Sequence, residues 1–222
     1  ATLDYEPTWA NGWMYTIATD APRGKLVSQY INPIKVCGTF KEVSRENKGN
    51  GVFVSDMGAN FAGWVRIKVK GERGAAVTMK FGERLDDNGF VNQLNLRSAR
   101  CSDKYILRGD GIEEFAPRFT YHGFQYVEFV IEGNAELLEV VGEHVHSSCE
   151  VVGSFKCSDE TLNKLHEIAV LTERSNEHSI LTDCPQRDER FGWLNDLGSR
   201  VFQTVYNIDM SRFFPKFARD IT

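Results

Sequence analysis

Polar and apolar residues alternate along much of the chain between about residues 35 and 155. A period of two gives a strand one buried and one exposed face, which is typical of antiparallel sheets. The clearest runs are Val65–Lys70, Val77–Phe81 and Val127–Ile131. Polar segments rich in glycine, which favour turns, lie between or beside them at 70–74, 86–89 and 108–111. Several short strands with this spacing predict a β-sandwich.

The period changes to that of helices near residue 155. Apolar residues then recur at helical spacing, at Leu162, Leu165 and Ile168. We expect Ser158 to cap this helix, because a side-chain oxygen there can accept from the first free N–H groups. A second helix is predicted from near Trp193. A third is predicted after Asp209, with Pro215 tolerable only in its first turn.

Strands followed by helices imply separate domains rather than a βαβ sheet. We therefore predict a β-sandwich domain at residues 35–152 and a helical domain at 153–222. Residues 1–34 show no clear period, and we expect an irregular lead-in or the tail of a preceding domain. The chain has no initiator Met and no signal-like start, so we also expect that it is cut at its N-terminus.

Composition excludes some classes of partner. The 222 residues, 41% of them apolar, suffice for a sizeable core. A formal net charge of -5 without any Lys/Arg run argues against nucleic acid, and no apolar run is long enough to span a membrane. Five cysteines without a CxxC pair give no zinc signal, and scattered thiols favour a reducing compartment such as the cytoplasm.

The most unusual segment is residues 182–196, which holds four carboxylates, two arginines and a tryptophan. Carboxylates accept hydrogen bonds from sugar hydroxyls, and an indole covers the apolar face of a sugar ring. Hydrolysis of a glycosidic bond needs one carboxyl as acid and another as base or nucleophile. The segment therefore fits a sugar site. On local pattern alone, a polar loop in which Asp and Arg residues pair to hold the helix entry in place is favoured over a catalytic site.

Other candidates have a structural alternative that we favour. Aromatic residues of the predicted sandwich fit either a sugar-binding face or ordinary packing; they are Trp64, Phe119, Tyr121, Phe124 and Tyr126. His144 and His146 share a strand face but have no evident further ligand, so we expect surface histidines rather than a metal site. Cys184 has no nearby His in the sequence and is expected to be structural.

Residues 183–193 resemble the signature of the bacterial α-L-rhamnosidases, glycoside hydrolase family 78. Three further segments resemble the β-sandwich that precedes the catalytic barrel in that family: 56–64, 95–100 and 117–128. The resemblance covers about residues 33–222. It implies the fold class of an antiparallel β-sandwich followed by the first helices of an (α/α)6 barrel. It also implies inverting hydrolysis of terminal α-L-rhamnosyl units, without a cofactor or metal.

The resemblance assigns roles to individual residues. Glu189 matches the general acid, and substrate contacts are expected from Asp183, Trp193 and Asp196. Arg187 and Arg190 also match, and we expect them mainly to orient the carboxylates, with Arg187 counted among the substrate-binding residues. The implied partner is a rhamnose-containing glycoside.

The family's general base is a Glu later in the barrel, beyond Thr222. We therefore expect this chain alone to be inactive. The alternative is a non-catalytic carbohydrate-binding β-sandwich, and the oligomeric state stays open.

Overall fold

The computed structural model describes residue 20 and residues 24–221, so most of the predicted lead-in at 1–34 lies outside the described residues. The strands are β1 Ile34–Lys41, β2 Ser44–Gly49, β3 Val52–Gly71, β4 Ala76–Gly82, β5 Arg84–Leu85, β6 Val91–Asn92, β7 Ser102–Ile106, β8 Ile112–Phe115, β9 His122–Glu132 and β10 Ala135–Ser147. The helices are α1 Glu160–Ser175, α2 Leu194–Asn207 and α3 Phe213–Ile221, and a short 3-10 helix covers Leu94–Leu96.

The 20-residue strand β3 organises the sheet. Strands pair antiparallel in the order β1-β10-β3-β9-β4-β7, while β2 and β8 also pair with β3. The first half of β3 pairs with β2 and β9, and its second half pairs with β10 and β8. The register shifts between Asp56 and Phe61, around Gly58 at φ +76°. One strand thus belongs to both halves of a curled antiparallel sheet, and the predicted sandwich is confirmed.

Alternation along the strands sets which side chains form the core. In β3, Val65, Ile67 and Val69 are buried completely, while Arg66 and Lys68 between them reach solvent. The largest buried side chains include rings from β3, β4 and β9: Phe61, Phe81, Phe124 and Phe129. Full burial of such a side chain stabilises the fold by roughly 1.5–3 kcal/mol. The period of two therefore predicted these strands and their inward faces correctly, but Glu128, on the face of β9 expected to be exposed, is also buried.

Helix α1 begins one residue later than predicted. Asp159, in an extended conformation, caps it by accepting from the N–H groups of Thr161 and Leu162, so the expected cap at Ser158 is wrong. The apolar face predicted for this helix is largely exposed, at Leu162, Leu165 and Ile168. The reason is that the sandwich covers only the last turns, where Leu171 packs against its core.

Helices α2 and α3 follow the prediction more closely. Trp193 is the N-cap of α2, and Pro215 lies in the first turn of α3. Asp209 accepts from the N–H of Ser211 and so stabilises the turn ahead of α3. A second core joins these helices to the preceding loop through Cys149, Leu181, Ile208, Met210, Phe213 and Phe217. No helix among the described residues is long and apolar enough to cross a membrane.

His144 and His146 are buried, so the expectation of surface histidines is wrong. They do share one face of β10, but the end of α1 covers that face, and His144 Nε2 lies 3.2 Å from Ser175 Oγ. Burial lowers the pKa of His144 to about 2 and that of His146 to about 4. Both imidazoles are therefore neutral packing residues at neutral pH.

Candidate active site

The segment between α1 and α2 forms a closed loop. The N–H of Asp183 donates to the carbonyl of Phe191 at 2.9 Å, and the N–H of Phe191 donates back to Asp183 Oδ1 at 2.8 Å. Gly192 follows directly, and a Cβ there would lie 2.8 Å from the ring of Phe217. These contacts hold both ends of the loop together, so residues 184–190 lie between two fixed ends. We call residues 183–191 the motif loop.

The motif loop rests on the sandwich. Its residue Gln186 accepts from the Cys101 thiol through its carbonyl at 3.1 Å. Gly123 in β9 leaves room for the loop, since a Cβ there would lie 2.9 Å from both Pro185 and Gln186. Ser98 donates its N–H and hydroxyl to Asp188, and these hydrogen bonds lower the pKa of that carboxyl. The candidate site is therefore built at the junction of sandwich and helices.

Glu189 stands between the two parts of the structure and is 19% exposed. Its Oε2 lies 2.8 Å from Arg187 Nη2 and 3.1 Å from Arg97 Nη1, the latter on the sandwich. Its Oε1 accepts from the indole N–H of Trp193 at 3.1 Å. Three polar contacts thus fix a partly exposed carboxylate, with its buried Oε2 facing the arginines and its Oε1 facing the start of α2.

The two oxygens of Asp183 have different surroundings. Oδ1 is bound by the Phe191 N–H, whereas Oδ2 is buried without a partner among the described residues. The neighbouring Cys184 is buried, and burial followed by its hydrogen bond with Asp183 raises the pKa of the thiol. Cys184 in turn raises the pKa of Arg187. The thiol is therefore protonated at neutral pH, which agrees with a structural role for Cys184.

Trp193 and Asp196 lie at the start of α2. Trp193 is 52% exposed, and its ring tilts against Phe191 with the centroids 5.6 Å apart. Asp196 lies in the first turn and is exposed to solvent. The structure thus brings Asp183, Arg187, Glu189 and Trp193 together, with Asp196 one turn further along the helix. The substrate roles of these residues stay predictions.

Among the described residues Arg190 forms no ion pair with a carboxylate, although we expected it to orient one; it contacts Tyr121 instead. It adopts φ +58°, which turns its side chain onto Tyr121, with the guanidinium 4.0 Å from the ring centroid. It also donates to the carbonyl of Tyr121 at 3.0 Å. The ring of His178 stacks on the same tyrosine at 3.7 Å. Arg190 therefore fastens the motif loop to an aromatic stack at the sandwich.

Sequence reasoning missed two residues that the sandwich contributes to the site, Arg97 and Ser98, and it considered Tyr121 without linking it to the motif loop. Arg97 and Ser98 belong to a segment that we had matched only to the sandwich. Arg97 adopts φ +58° directly after the 3-10 helix. This conformation is uncommon for a residue other than glycine, and no residue nearby in the sequence predicts it. The available signal was the resemblance of segment 95–100 itself.

One group of three possible metal donors occurs among the described residues, namely Asp183, Cys184 and Glu189, with their atoms within 4.8 Å of one another. Arg187 already contacts Glu189 and hydrogen-bonds with the Cys184 thiol. A guanidinium there supplies the positive charge that a cation would bring. The donor set therefore does not suit a metal.

Two family models match the chain. The bacterial α-L-rhamnosidase concanavalin-like domain matches residues 46–146, and the bacterial α-L-rhamnosidase six-hairpin glycosidase domain matches residues 150–222. Relatives with that enzyme's name include one from Streptomyces avermitilis, 36% identical over 91% of this chain and 20% of the relative. Another, from Formosa agariphila, is 33% identical over 95% of this chain and 23% of the relative.

Solved α-L-rhamnosidases share this fold. The structure from Dictyoglumus thermophilum superposes with a TM-score of 0.85 at 40% identity, over 89% of this chain and 23% of that one. The Streptomyces avermitilis enzyme complexed with L-rhamnose gives a TM-score of 0.82 at 36% identity, over 86% of this chain and 19% of that one. The chain thus spans about a fifth of the length of these relatives. The predicted fold class, a β-sandwich followed by the first helices of a helical barrel, is confirmed.

Proposed function

Because the chain belongs to the bacterial α-L-rhamnosidase family, we propose that the protein is a glycoside hydrolase that releases terminal α-L-rhamnose from rhamnosides by inversion. The observation that carries this proposal is the position of Glu189. Its carboxylate is partly exposed, held by the side chains of Arg97, Arg187 and Trp193, and the tryptophan ring beside it is exposed. Transfer of a proton to a glycosidic oxygen requires a positioned carboxyl, and an aromatic face beside it suits the apolar side of a sugar ring.

In this mechanism Glu189 is the general acid. Trp193 covers one face of the rhamnose ring, while Asp183 and Asp196 accept hydrogen bonds from its hydroxyls. Arg187 holds Glu189 and, when substrate binds, donates to a sugar oxygen in place of Oε2. Protonated Glu189 then gives its proton to the leaving-group oxygen as the bond to the sugar breaks.

Asp183 is too close to Glu189 to be the base. Inverting enzymes hold their two carboxyl groups about 6.5–9.5 Å apart so that a water fits between them. One oxygen of Asp183 lies within 4.8 Å of one of Glu189. We therefore assign Asp183 to substrate contact, and the base to another part of the family's helical domain.

Kinetics of Glu189→Gln in the full-length protein test the assignment. Glutamine keeps the shape but cannot donate the proton, and general acid catalysis contributes about 10²–10⁴-fold. We expect a loss of that size for methyl α-L-rhamnoside, whose leaving group needs protonation. The loss should be much smaller for 4-nitrophenyl α-L-rhamnoside, whose leaving group departs unprotonated.

Glu136→Gln, an exposed position in β10, is the matched control and should leave both rates unchanged. If Glu189→Gln cleaves methyl α-L-rhamnoside at the wild-type rate, Glu189 is not the acid. If the wild-type protein cleaves neither rhamnoside, the proposed function itself fails.

The alternative of a sugar-binding sandwich loses part of its basis. Phe124 is completely buried and belongs to the core, so it cannot form a binding face. Phe119 is fully exposed, however, and stays available together with Trp64. Calorimetry with millimolar L-rhamnose on the chain and on its Trp193→Ala variant separates the two functions, because a sandwich site would bind equally in both.

A further inference from the structure

Two polar side-chain contacts join helices α1 and α2, and the mechanism above uses neither. His166 Nε2 lies 2.7 Å from Asn207 Oδ1, and Arg200 Nε lies 3.7 Å from Glu173 Oε2. The contacts are seven residues apart on each helix, which is about two turns, so the helices run antiparallel. The His166 contact is at the end of α2, whereas the Arg200 contact lies two turns closer to the motif loop.

Arg200 also reaches the residue directly ahead of the motif loop. Its Nη2 donates to the carbonyl of Thr182 at 2.9 Å, and Thr182 is buried. Only 17% of the Arg200 side chain and 2% of the Glu173 side chain are exposed. A charged hydrogen bond with little water around it is strong, and a buried charge without a partner is costly. Two different nitrogens of one guanidinium therefore hold an α1 carboxylate and the start of the motif loop.

The peptide unit between Thr182 and Asp183 is held at both of its polar atoms. Its carbonyl accepts from Arg200 at 2.9 Å, and its N–H donates to the carbonyl of Phe191, also at 2.9 Å. A peptide unit is planar, so contacts at both atoms fix its orientation. That orientation sets the direction in which the Asp183 side chain leaves the backbone.

The other proposed substrate contacts belong to α2 itself. Trp193 is the N-cap of this helix, and Asp196 lies in its first turn. Arg200 follows Asp196 by four residues, so the two lie on the same side of the helix. The backbone of Arg200 is therefore part of the helix that carries two of the contacts, and its side chain holds the peptide unit that carries Asp183.

We infer that Arg200 is a positioning residue for the proposed reaction, one that sets the spacing between Asp183 and the substrate contacts at the start of α2; this inference rests on the proposed function. A sugar ring that is contacted from two elements needs both at a fixed spacing, and a misplacement of about 1 Å costs about 100-fold in rate. Arg200 acts through the Thr182 carbonyl and is not assigned a contact with the sugar.

Loss of Arg200 should shift the motif loop rather than unfold it. Thr182 also donates its N–H to the carbonyl of Asn176 at 2.9 Å, and Asn176 is the C-cap of α1. Without the guanidinium, the start of the motif loop stays tied to α1 but loses this tie to α2. The expected defect is therefore in the spacing of the two elements and so in the binding of the sugar.

The test measures KM in the full-length protein. Arg200→Met removes both contacts and should raise KM about tenfold, for methyl α-L-rhamnoside and 4-nitrophenyl α-L-rhamnoside alike. The factor is common to both substrates because other residues hold the general acid Glu189. His166→Ala removes the other contact between the same helices and is the matched control. It should lower the melting temperature but leave KM within about twofold.

A second variant keeps the test valid if Arg200→Met does not fold. The double variant Glu173→Gln/Arg200→Met leaves no carboxylate at residue 173 buried without its partner, so its folding cost is smaller. It should show the same rise in KM, because the Thr182 carbonyl loses its donor in both variants. Glu173→Gln alone keeps that donor and should leave KM within about twofold.

Hydrogen exchange followed by mass spectrometry separates this inference from the proposed function. The Asp183 N–H should exchange about tenfold faster in Arg200→Met than in the wild type, even if no rhamnoside is hydrolysed, and His166→Ala should leave it unchanged. An unchanged KM or an unchanged exchange rate in Arg200→Met would overturn the positioning role. A larger loss for methyl than for 4-nitrophenyl α-L-rhamnoside would overturn it too, because Arg200 would then act through Glu189.

Discussion

Arg97 of the sandwich and Glu189 of the motif loop form an ion pair, with Nη1 and Oε2 3.1 Å apart. The two residues lie about ninety positions apart in the sequence, and each sits at a tip of its own part of the structure. The surroundings of the candidate acid therefore include residues of the sandwich as well as residues of the helical part. The sandwich supplies a positive charge to the candidate site.

Removal of that charge should affect rate much more than stability. The pair is 54% exposed on the arginine side, so it contributes less than about 1 kcal/mol to folding. Arg97→Ala keeps the strain of a positive φ and removes only the guanidinium. We expect a melting temperature within about 2 °C of the wild type and a kcat/KM lowered about tenfold, because Arg187 alone then fixes Oε2.

Parallel thermal melts and rhamnoside kinetics check this prediction. Arg84→Ala, an exposed arginine in β5, serves as the control and should change neither quantity. A large fall in melting temperature without a change in kcat/KM would show that Arg97 serves folding and not the site.

Glu177 predicts how stability depends on pH. It is completely buried, and burial together with the charge of Glu173 raises its pKa to about 8. Above pH 4.5 the unfolded chain loses this proton while the folded chain keeps it, so stability falls by about 1.4 kcal/mol per pH unit up to about pH 8. Glu173, whose pKa burial also raises, acts in the same direction.

Buried histidines oppose this trend only at lower pH. Their folded pKa values lie below 6.5, at about 2 for His144, about 4 for His146 and about 3 for His178. They add stability as pH rises to about 6.5 and nothing further above it. Urea unfolding at pH 6.5 and 8 should therefore show a decline that Glu177→Gln reduces. Glu167→Gln, on the exposed face of α1, should keep the full decline. An equal decline in Glu177→Gln would contradict the assignment.

Gly192 and Gly198 form a matched pair for a packing prediction. A Cβ at Gly192 would lie 2.8 Å from the ring of Phe217, whereas one at Gly198 meets nothing within 4 Å. Gly192→Ala should therefore displace α3 and cost roughly 1–3 kcal/mol. Gly198→Ala lies within α2 and should stabilise by roughly 0.5–1 kcal/mol, as expected for glycine in a helix.

Denaturant unfolding of both variants measures these changes. The Gly192 variant should also lose activity, because Trp193 is the next residue and its position depends on this contact. Equal stability of the two variants would mean that Phe217 relaxes freely.

Thiol reactivity follows burial. All five cysteines are free, and three of them are buried with raised pKa values: Cys101, Cys149 and Cys184. Cys37 is half-buried, and its pKa is raised by burial too, which leaves Cys157 as the thiol expected to react first. Titration with a chromogenic disulfide at pH 8 should show one fast thiol, and five in denaturant. Rapid labelling of Cys184 in the folded protein would contradict its burial.

Local periodicity explains which parts of the fold were predictable. Strands β3, β4 and β9 each have an inward face, so apolar residues recur at every second position of their sequences. The position of α3 was predictable because Pro215 can occupy only a first helical turn. Contacts between segments that are distant in the sequence produce no such periodicity. The burial of His144 and His146 depends on the end of α1, and the exposure of Leu162 depends on how little of α1 the sandwich reaches.

The candidate site also contains residues that the sequence predicted and residues that it did not. Residue types and resemblance placed Glu189, Asp183 and Trp193 in one candidate site, because all lie in one continuous segment. Arg97 was missed because its partner is remote and its own conformation has no local marker. Arg190 was assigned to carboxylates because charge alone cannot reveal that Tyr121 lies closer in space.

The seating of the motif loop on Cys101 and Gly123 bears on how such enzymes can recombine. A crossover between the two domains near residue 150 would pair one parent's loop with another parent's sandwich surface. Even a chimera that folds correctly would then have a motif loop that does not fit the sandwich surface beneath it. We expect a chimera to keep the packing of the candidate site only when segments 95–101, 118–123 and 182–193 all come from one parent.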